Sequence, residues 1–182
     1  MLGRLLRGVR AGDANLFSNL PGFQNLSPLR LESAWFAESG TMPLKSAGVG
    51  VGDNISPPLS WSGVPPETQA FLIVIQDPDA PLPRPFVHLV AFNIPGESTS
   101  FAKGALNKPT REIRFGRNTF GGTGYRGPRA LRGHGPHRYV FQLVALTRPL
   151  TASEGLSLRA VADAAAPVAL ALGTLTGIFE RP

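Results

Sequence analysis

Glycine and proline occur so often in this chain that they leave little room for long helices. The 182 residues include 21 glycines and 18 prolines, and both residue types interrupt regular structure and favour turns. From Leu29 onward, short apolar runs alternate with clusters of these two residues. A chain of this length can bury a core of its own as one domain. The pattern predicts a mostly β domain built from short strands and many turns.

Three runs rich in β-branched and aromatic residues predict the clearest strands. They are Phe71–Ile75, Phe86–Ile94 and Tyr139–Leu146, with weaker candidates at Leu29–Phe36 and Thr174–Glu180. One helical region, Ser157–Leu172, is predicted near the C-terminus, with Ser157 as its N-cap and Pro167 dividing it. Strands separated by turns, with helix only near the end of the chain, indicate an antiparallel β-sandwich with a short C-terminal helical segment.

The N-terminal residues 1–28 are predicted to form a basic arm, and residues 29–182 to form the domain. Leu2, Leu5, Leu6 and Val9 recur at helical spacing with arginines between them, which predicts a short basic amphipathic helix. Packing of this arm on its own domain or on a partner subunit is the preferred interpretation. A membrane-surface anchor and an organelle-targeting peptide stay open. A cytoplasmic location is the default expectation, and the lack of cysteine suits a reducing compartment.

The formal net charge of +6 comes mainly from arginine, since the chain has fifteen Arg and three Lys. Seven of the arginines fall between residues 111 and 138, where Glu112 is the one acid. The guanidinium group offers a planar fork of donors that fits carboxylates and phosphates, so an anionic partner is expected. Nucleic acid is disfavoured because the stretch lacks interleaved aromatic residues and any nucleic-acid-binding motif.

The titratable side chains form one cluster along the chain. All three histidines, His88, His134 and His137, lie within 50 residues of one another, and Asp77 and Asp79 precede them. Asp77 directly follows an apolar strand, and residues two apart in an extended chain can face the same way. Any functional site is therefore expected here.

Strand periodicity predicts which side chains accompany the histidines. It groups His88 with Phe86, Val90 and Phe92, and His137 with Tyr139, Phe141 and Leu143. A histidine at the end of an apolar row suits a pocket floor, where it can donate to an anion. Gly127 can add a main-chain N–H because glycine permits close approach. The residues alone leave two other interpretations open: His88 as a satisfied core histidine, and Asp77-Pro-Asp79 as turn chemistry.

Several motifs then occur in a characteristic order. They are Ser56–Trp61 (SPPLSW), Asp77–Pro81 (DPDAP), His88, Gly116–Asn118 (GRN), Phe120–Gly122 (FGG), Gly133–Tyr139 (GHGPHRY) and Thr174–Gly177 (TLTG). From about Leu29 to the C-terminus, they resemble the signature segments of the phosphatidylethanolamine-binding protein family. The resemblance is to its bacterial and archaeal Raf-kinase-inhibitor-like branch in particular.

The resemblance implies a β-sandwich with a small anion pocket that takes phosphate-like groups, phospholipid head groups or nucleotides. The candidate ligand-binding residues are Asp77, Asp79, His88, Gly127, Pro128, His137 and Tyr139. Some members of the family inhibit kinases or proteases or act as adaptors, and a homodimer and contact with a membrane surface are also open.

Two departures from the family pattern concern ligand preference. Phe179 stands where the family often has tyrosine, and Arg129 and Arg132 in the following loop either attract anions or only make the loop soluble.

Three functions are compatible with these residues. The favoured one is a non-enzymatic binding protein without a cofactor, in which His88 and His137 donate to a phosphate-bearing ligand. Gly127 supports the ligand through its main chain, and Asp77 either orients a histidine or accepts from an amine or hydroxyl of the ligand. The second is a kinase or protease inhibitor, or an adaptor, that acts by protein–protein contact. The third is a metal-dependent hydrolase using Asp77, Asp79, His88 and His137, although their spacing matches no metal-ligand motif. The sequence also has no nucleophile elbow and no phosphate-binding glycine loop that opens a helix.

Overall fold

A long sheet with a shorter three-stranded sheet on one of its faces forms the centre of the protein. A computed structural model describes residues 2–182. Its strands are β1 (Ser27–Pro28), β2 (Arg30–Glu32), β3 (Gly40–Thr41), β4 (Leu59–Ser62), β5 (Ala70–Asp77), β6 (Phe86–Pro95), β7 (Ser100–Phe101), β8 (Arg114–Phe115), β9 (His137–Leu146) and β10 (Ala169–Phe179). The helices are α1 (Leu2–Leu5) and α2 (Leu158–Ala165), with short 3-10 turns at Asp13–Asn15, Phe17–Asn19, Leu44–Ser46 and Ala166–Val168.

The large sheet has the strand order β1-β10-β9-β5-β6-β8, with β3 also paired to β10, and the small sheet has the order β2-β4-β7. The pairs within both sheets are antiparallel, except that the short strands β1 and β3 run parallel to β10. This arrangement confirms the predicted mostly β sandwich with a short C-terminal helical segment. No helix within residues 2–182 is long and apolar enough to cross a membrane.

The central strands are apolar on both faces because both faces of the large sheet are covered. Ile73 and Phe141 point into an inner core, which the large sheet forms with residues of the small sheet such as Trp61. Val74 and Val144 point the other way, into an outer core that α2 and the N-terminal residues Phe17 and Phe23 complete. Every residue of β5 is buried as a result. This two-sided burial explains why the sequences of β5 and β9 are continuous apolar runs.

Two buried glutamines fix the N-terminal residues against the outer face. The side-chain oxygen of Gln76 accepts hydrogen bonds from the amide of Phe17 at 2.7 Å and from the side chain of Gln142 at 3.0 Å. The side-chain oxygen of Gln142 in turn accepts from the amide of Ser18 at 2.7 Å. These bonds satisfy polar groups that burial would otherwise leave unpaired at a cost.

Two predicted element boundaries are wrong at the C-terminal end. The helix does not run to Leu172: it ends at Ala165, a 3-10 turn contains Pro167, and β10 begins at Ala169, five residues before the predicted strand. Proline cannot continue the helical hydrogen-bond ladder, and the apolar residues after it suit either a helix or a strand. Ser157 is the N-cap, as predicted, and its hydroxyl accepts from the amide of Ala160.

Two N-terminal predictions also need correction. Of the candidate strand Leu29–Phe36, only Arg30–Glu32 forms a strand, because the hydroxyl of Ser33 bonds to the carbonyl of Pro58 and to the amide of Trp35 and turns the chain. The amphipathic helix covers only Leu2–Leu5. Beyond it the chain extends and pairs with the segment after β5, where the amides of residues 11 and 12 donate to main-chain carbonyls.

Strand β6 contains a β-bulge at His88, which overturns part of the predicted grouping of its side chains: Phe86 lies beside His88, with ring centroids 4.6 Å apart, but Val90 and Phe92 do not share its side. Leu89 pairs with Ile75 and Val87 pairs with Gln76, so His88 is an extra residue without a cross-strand partner. A bulge shifts the period-two alternation by one residue. Val90 and Phe92 therefore point into the outer core, while His88 turns to the inner side.

Candidate functional site

The site lies at the edge of the large sheet where β5 ends and β9 begins. Because β5 and β9 are antiparallel neighbours, Asp77 at the end of one strand comes close to His137 and Tyr139 at the start of the other. Strand β6 pairs with the other side of β5, and its first residues bring His88 to the same edge. The consecutive strands β5 and β6 and the distant strand β9 thus each contribute one buried polar residue or more to a single place.

A cavity of about 700 Å³ opens at this edge. Of the seven predicted ligand-binding residues, five line it: Asp77, His88, Gly127, His137 and Tyr139. The other two, Asp79 and Pro128, are not among its lining residues. The rest of the wall comes mainly from the loops before β4, after β5 and between β8 and β9.

His88 lines this cavity and has one ring nitrogen without a hydrogen-bond partner among residues 2–182. Its Nδ1–H donates to the carbonyl oxygen of Arg126 at 2.5 Å, while Nε2 has no hydrogen-bond partner among the described residues. Burial lowers the pKa of His88, and the negative charge of Asp77 offsets only part of that effect. His88 is therefore a neutral imidazole at pH 7 whose Nε2 accepts hydrogen bonds.

Tyr139 supplies a second free polar atom beside it. The two rings meet edge to face, with centroids 5.0 Å apart. Within residues 2–182 the phenol oxygen has no hydrogen-bond partner; the amides of Arg129 and Ala130 are close but do not meet it with hydrogen-bond geometry. Burial and the charge of Asp77 raise the pKa of Tyr139 well above its ordinary value. The hydroxyl is therefore protonated and able to donate.

Asp77, His137 and His134 form a hydrogen-bonded chain behind the cavity. The Nδ1 of His137 donates to a carboxylate oxygen of Asp77 at 2.7 Å, and its Nε2 lies 2.7 Å from the Nδ1 of His134. The Nε2 of His134 donates to the carbonyl oxygen of Leu6 at 2.7 Å. Both nitrogens of His137 are thus engaged within the protein.

Asp79 belongs to a different set of contacts. Its two oxygens accept from the amide and the guanidinium of Arg138 at 2.8–2.9 Å, and Arg10 lies 3.0 Å away. Burial alone would raise the pKa of Asp79, but the hydrogen bonds and charges of Arg138 and Arg10 outweigh it and hold the pKa at about 2. Asp79 is not among the lining residues of the cavity, and its own amide donates to Asp77 Oδ1 at 2.8 Å, which is the turn contact that the sequence left open.

The turn at Gly127 is held by Asn54. The amide of Gly127 donates to the side-chain oxygen of Asn54 at 2.9 Å, so an anion would have to compete for this donor. A side chain at residue 127 would overlap the carbonyl of Ser46, which shows that the glycine is needed for close approach of two main chains. Asn54 itself has a φ of 55°, a conformation that asparagine tolerates better than most residues.

The mouth of the cavity combines positive charge with exposed apolar groups. Arg126, Arg129 and Arg181 are among its lining residues. Beside them, Val49 and Phe120 have 71% and 67% of their surface exposed. Arg126 lies over the ring of Phe120 at 5.2 Å. An anionic group entering here would meet guanidinium groups first.

Two further sequence expectations can be located. Phe179 is buried in the inner core, where it pairs with His137 at the end of β10. Of the two loop arginines, Arg129 lines the cavity, whereas Arg132 lines a smaller depression with Arg4. Across the described part of the chain, no three His, Asp or Glu side chains are grouped as metal ligands would be.

Sequence reasoning included His134 in the histidine cluster but gave it no role, and it missed Asn54. The partners of both lie far along the chain: Leu6 for His134 and Gly127 for Asn54. The one signal for Asn54 was its place just before the Ser-Pro-Pro turn.

Comparison with known proteins agrees with this architecture. The family model described as phosphatidylethanolamine-binding protein matches residues 32–180. A UPF0098 protein of Methanothermobacter thermautotrophicus is 37% identical over 156 residues, which cover 84% of this chain and 99% of that protein. A UPF0098 protein of Pyrococcus horikoshii is 35% identical over 153 residues, which cover 82% of this chain and 75% of the relative.

A solved structure shows the same arrangement of strands. The crystal structure of Escherichia coli YbcL, described as a member of the mammalian phosphatidylethanolamine-binding protein family, superposes with a TM-score of 0.77 at 26% identity. The superposition covers 86% of this chain and all of YbcL. Matching motifs, a family model over most of the chain and a shared fold lead to one conclusion: this protein belongs to the phosphatidylethanolamine-binding protein family.

Proposed function

We propose that this protein is a non-enzymatic binding protein whose cavity takes a small phosphate-bearing anion, such as a phospholipid head group or a free phosphate monoester. The observation that carries the proposal is a pair of buried polar atoms, His88 Nε2 and Tyr139 Oη, which have no partner among residues 2–182 and belong to two residues that line the cavity. Buried polar groups are normally hydrogen-bonded. A site that leaves two of them open is suited to a ligand that supplies both partners.

The chemistry of the two atoms selects the ligand. Tyr139 donates to an anionic oxygen, and neutral His88 accepts from a ligand hydroxyl. Inorganic hydrogen phosphate has both kinds of oxygen at neutral pH, and a phosphoethanolamine head group has an anionic oxygen and an ammonium group that donates. Arg126 and Arg129 at the mouth add positive charge.

The test is isothermal titration of the full chain with inorganic phosphate and with phosphoethanolamine, comparing wild type with Tyr139→Phe. The variant should bind at least about tenfold more weakly, the effect of losing one hydrogen bond to a charged group. Its unfolding midpoint without ligand should not fall, because the hydroxyl it lacks has no partner in the described structure. Absence of phosphate binding at millimolar concentration would overturn the proposal.

A charge control separates the site from general attraction. Arg126→Gln removes a cation at the mouth, whereas Arg148→Gln removes another exposed cation that does not line the cavity. Only the first should weaken phosphate binding. Equal losses in both would mean that net charge, and not this pocket, attracts the anion.

A second function, inhibition of a kinase or protease by direct contact, is favoured by the exposed Val49 and Phe120 beside the cavity. Exposed apolar side chains next to a charged mouth are typical of protein-binding surfaces. Inhibition of purified kinases and proteases of the host should then be weakened by Phe120→Ser. Leu44→Ser, at an exposed leucine that does not line the cavity, is the control that should leave it intact.

A further inference from the structure

The N-terminal strap, residues 2–12, lies over the loop that leads into β9. The Nε of Arg7 donates to the carbonyl of Gly133 at 2.9 Å, and Arg10 donates to the carbonyl of Pro136 at 3.2 Å. Arg10 also pairs with Asp79 at 3.0 Å. The carbonyl of Leu6 accepts from His134. The strap therefore contacts the chain immediately beside a residue of the ligand-binding cavity.

His134 connects this strap to His137. It is 1% exposed, and its two ring nitrogens reach in opposite directions, one to the carbonyl of Leu6 and one to the Nε2 of His137, both at 2.7 Å. A histidine ring that is bonded at both nitrogens and enclosed on all sides has a fixed orientation. The strap thus helps determine what His137 can offer to a ligand.

We infer that His134 is a positioning residue that competes with the ligand for His137, so that binding of an anion at His137 loosens the N-terminal strap. The inference rests on the proposed function, because it concerns the same cavity. The Nδ1 of His137 is held by Asp77, which leaves Nε2 as its one other ring nitrogen. An anion can bond to that nitrogen only by taking the place of His134.

Release of His134 weakens the strap because the same ring donates to Leu6. Thermodynamic linkage makes the effect reciprocal: if the anion loosens the strap, loosening the strap must favour the anion by the same factor. A residue that only supports the fold would behave differently, since its loss would weaken both stability and binding. A gain in affinity together with a loss of stability is therefore diagnostic.

Two glycines of the strap provide a matched pair of variants. A methyl group at Gly3 would overlap the carbonyl of Arg132 and crowd the amide of His134, so Gly3→Ala prevents the strap from docking. A methyl group at Gly8 would meet nothing within 4 Å, so Gly8→Ala makes the same chemical change without the clash. Neither residue lines the cavity. His134→Phe is a third variant, which removes the competing nitrogen itself.

The experiment measures phosphate affinity by titration calorimetry and strap docking by hydrogen exchange of the amides of residues 6–12. In Gly3→Ala and His134→Phe, the strap amides should exchange faster and the protein should unfold at a lower temperature. Both variants should also bind phosphate about tenfold more tightly, because one hydrogen bond to a charged group contributes about that much to affinity. Gly8→Ala should match wild type. Saturating phosphate should speed exchange of the strap in wild type.

Two kinds of failure are distinguishable. If phosphate binds wild type, Gly3→Ala and His134→Phe with equal affinity, the competition is refuted while the pocket stands. If phosphate binds none of them, the proposed function fails, and the coupling fails with it. Slower or unchanged strap exchange on phosphate binding also refutes the coupling, whatever the affinities.

Discussion

Asp79 should make a measurable part of the stability of this protein depend on pH. Its carboxylate accepts from the amide and guanidinium of Arg138 and pairs with Arg10, and these contacts hold its pKa at about 2 instead of the ordinary 3.8. A carboxyl whose pKa is lower in the folded state binds fewer protons there than in the unfolded state. Its contribution is therefore complete above pH 3.8 and is lost as the pH falls towards 2.

The size of the contribution follows from the pKa difference. One pKa unit corresponds to about 1.4 kcal/mol, so a fall from 3.8 to about 2 gives roughly 2 kcal/mol of unfolding free energy. Asp79→Asn removes the titrating group and keeps an oxygen that can accept from the amide of Arg138. We expect this variant to be less stable by about 2 kcal/mol at pH 7.

Urea unfolding at intervals between pH 2 and pH 7 is the measurement. The gap between wild type and Asp79→Asn should be widest above pH 4 and close towards pH 2. Asp163→Asn is the control, because Asp163 pairs with Arg159 on the exposed surface of α2 and exposed pairs contribute little. Parallel stability profiles for wild type and Asp79→Asn would refute the reasoning.

Three further predictions concern buried polar groups. His88 has a lowered pKa, so its contribution to stability is complete above pH 6.5 and is lost as the pH falls below that value. In thermal unfolding, the His88→Gln variant should not show this loss of stability. Because neutral His88 accepts a hydrogen bond, phosphate should bind at least about tenfold more tightly than sulfate, which has no proton to donate at neutral pH; equal affinities in calorimetry would contradict this. Gln142→Leu leaves the amide of Ser18 unpaired and should lower the free energy of unfolding by about 1–3 kcal/mol, whereas the same change at the exposed Gln24 should have little effect.

The strands at the centre of the sheet could be predicted from the sequence because two-sided burial requires long apolar runs. Residues 71–75 of β5 and residues 139–146 of β9 fall within the observed strands. The end of α2 could not be predicted, because the apolar residues after Pro167 fit a helix and a strand equally well. Pairing with β9 decides in favour of a strand, and that partner is distant in sequence.

The candidate site was predictable only in part, for a similar reason. The cluster of histidines and carboxylates located the site, but the orientation of His88 depends on a β-bulge that no local pattern shows. The pairing of Asp79 depends in part on Arg10, and the engagement of His137 depends on His134 and Leu6. Arg10 and Leu6 lie on a distant part of the chain, and although His134 is only three residues from His137, its ring is held by the carbonyl of Leu6.

The position of β5 in the large sheet has a consequence for synthesis in the cell. One edge of β5 pairs with β9, and its outer face belongs to the core that α2 completes. The ribosome makes both of these elements after β5. At about 5–20 residues per second, the roughly 60 residues between the two strands take about 3–12 s to translate. During that interval a strand with the sequence Phe-Leu-Ile-Val-Ile has no native partner on one side. The nascent chain should therefore be a substrate for chaperones that bind extended apolar segments, and slow translation should favour its aggregation.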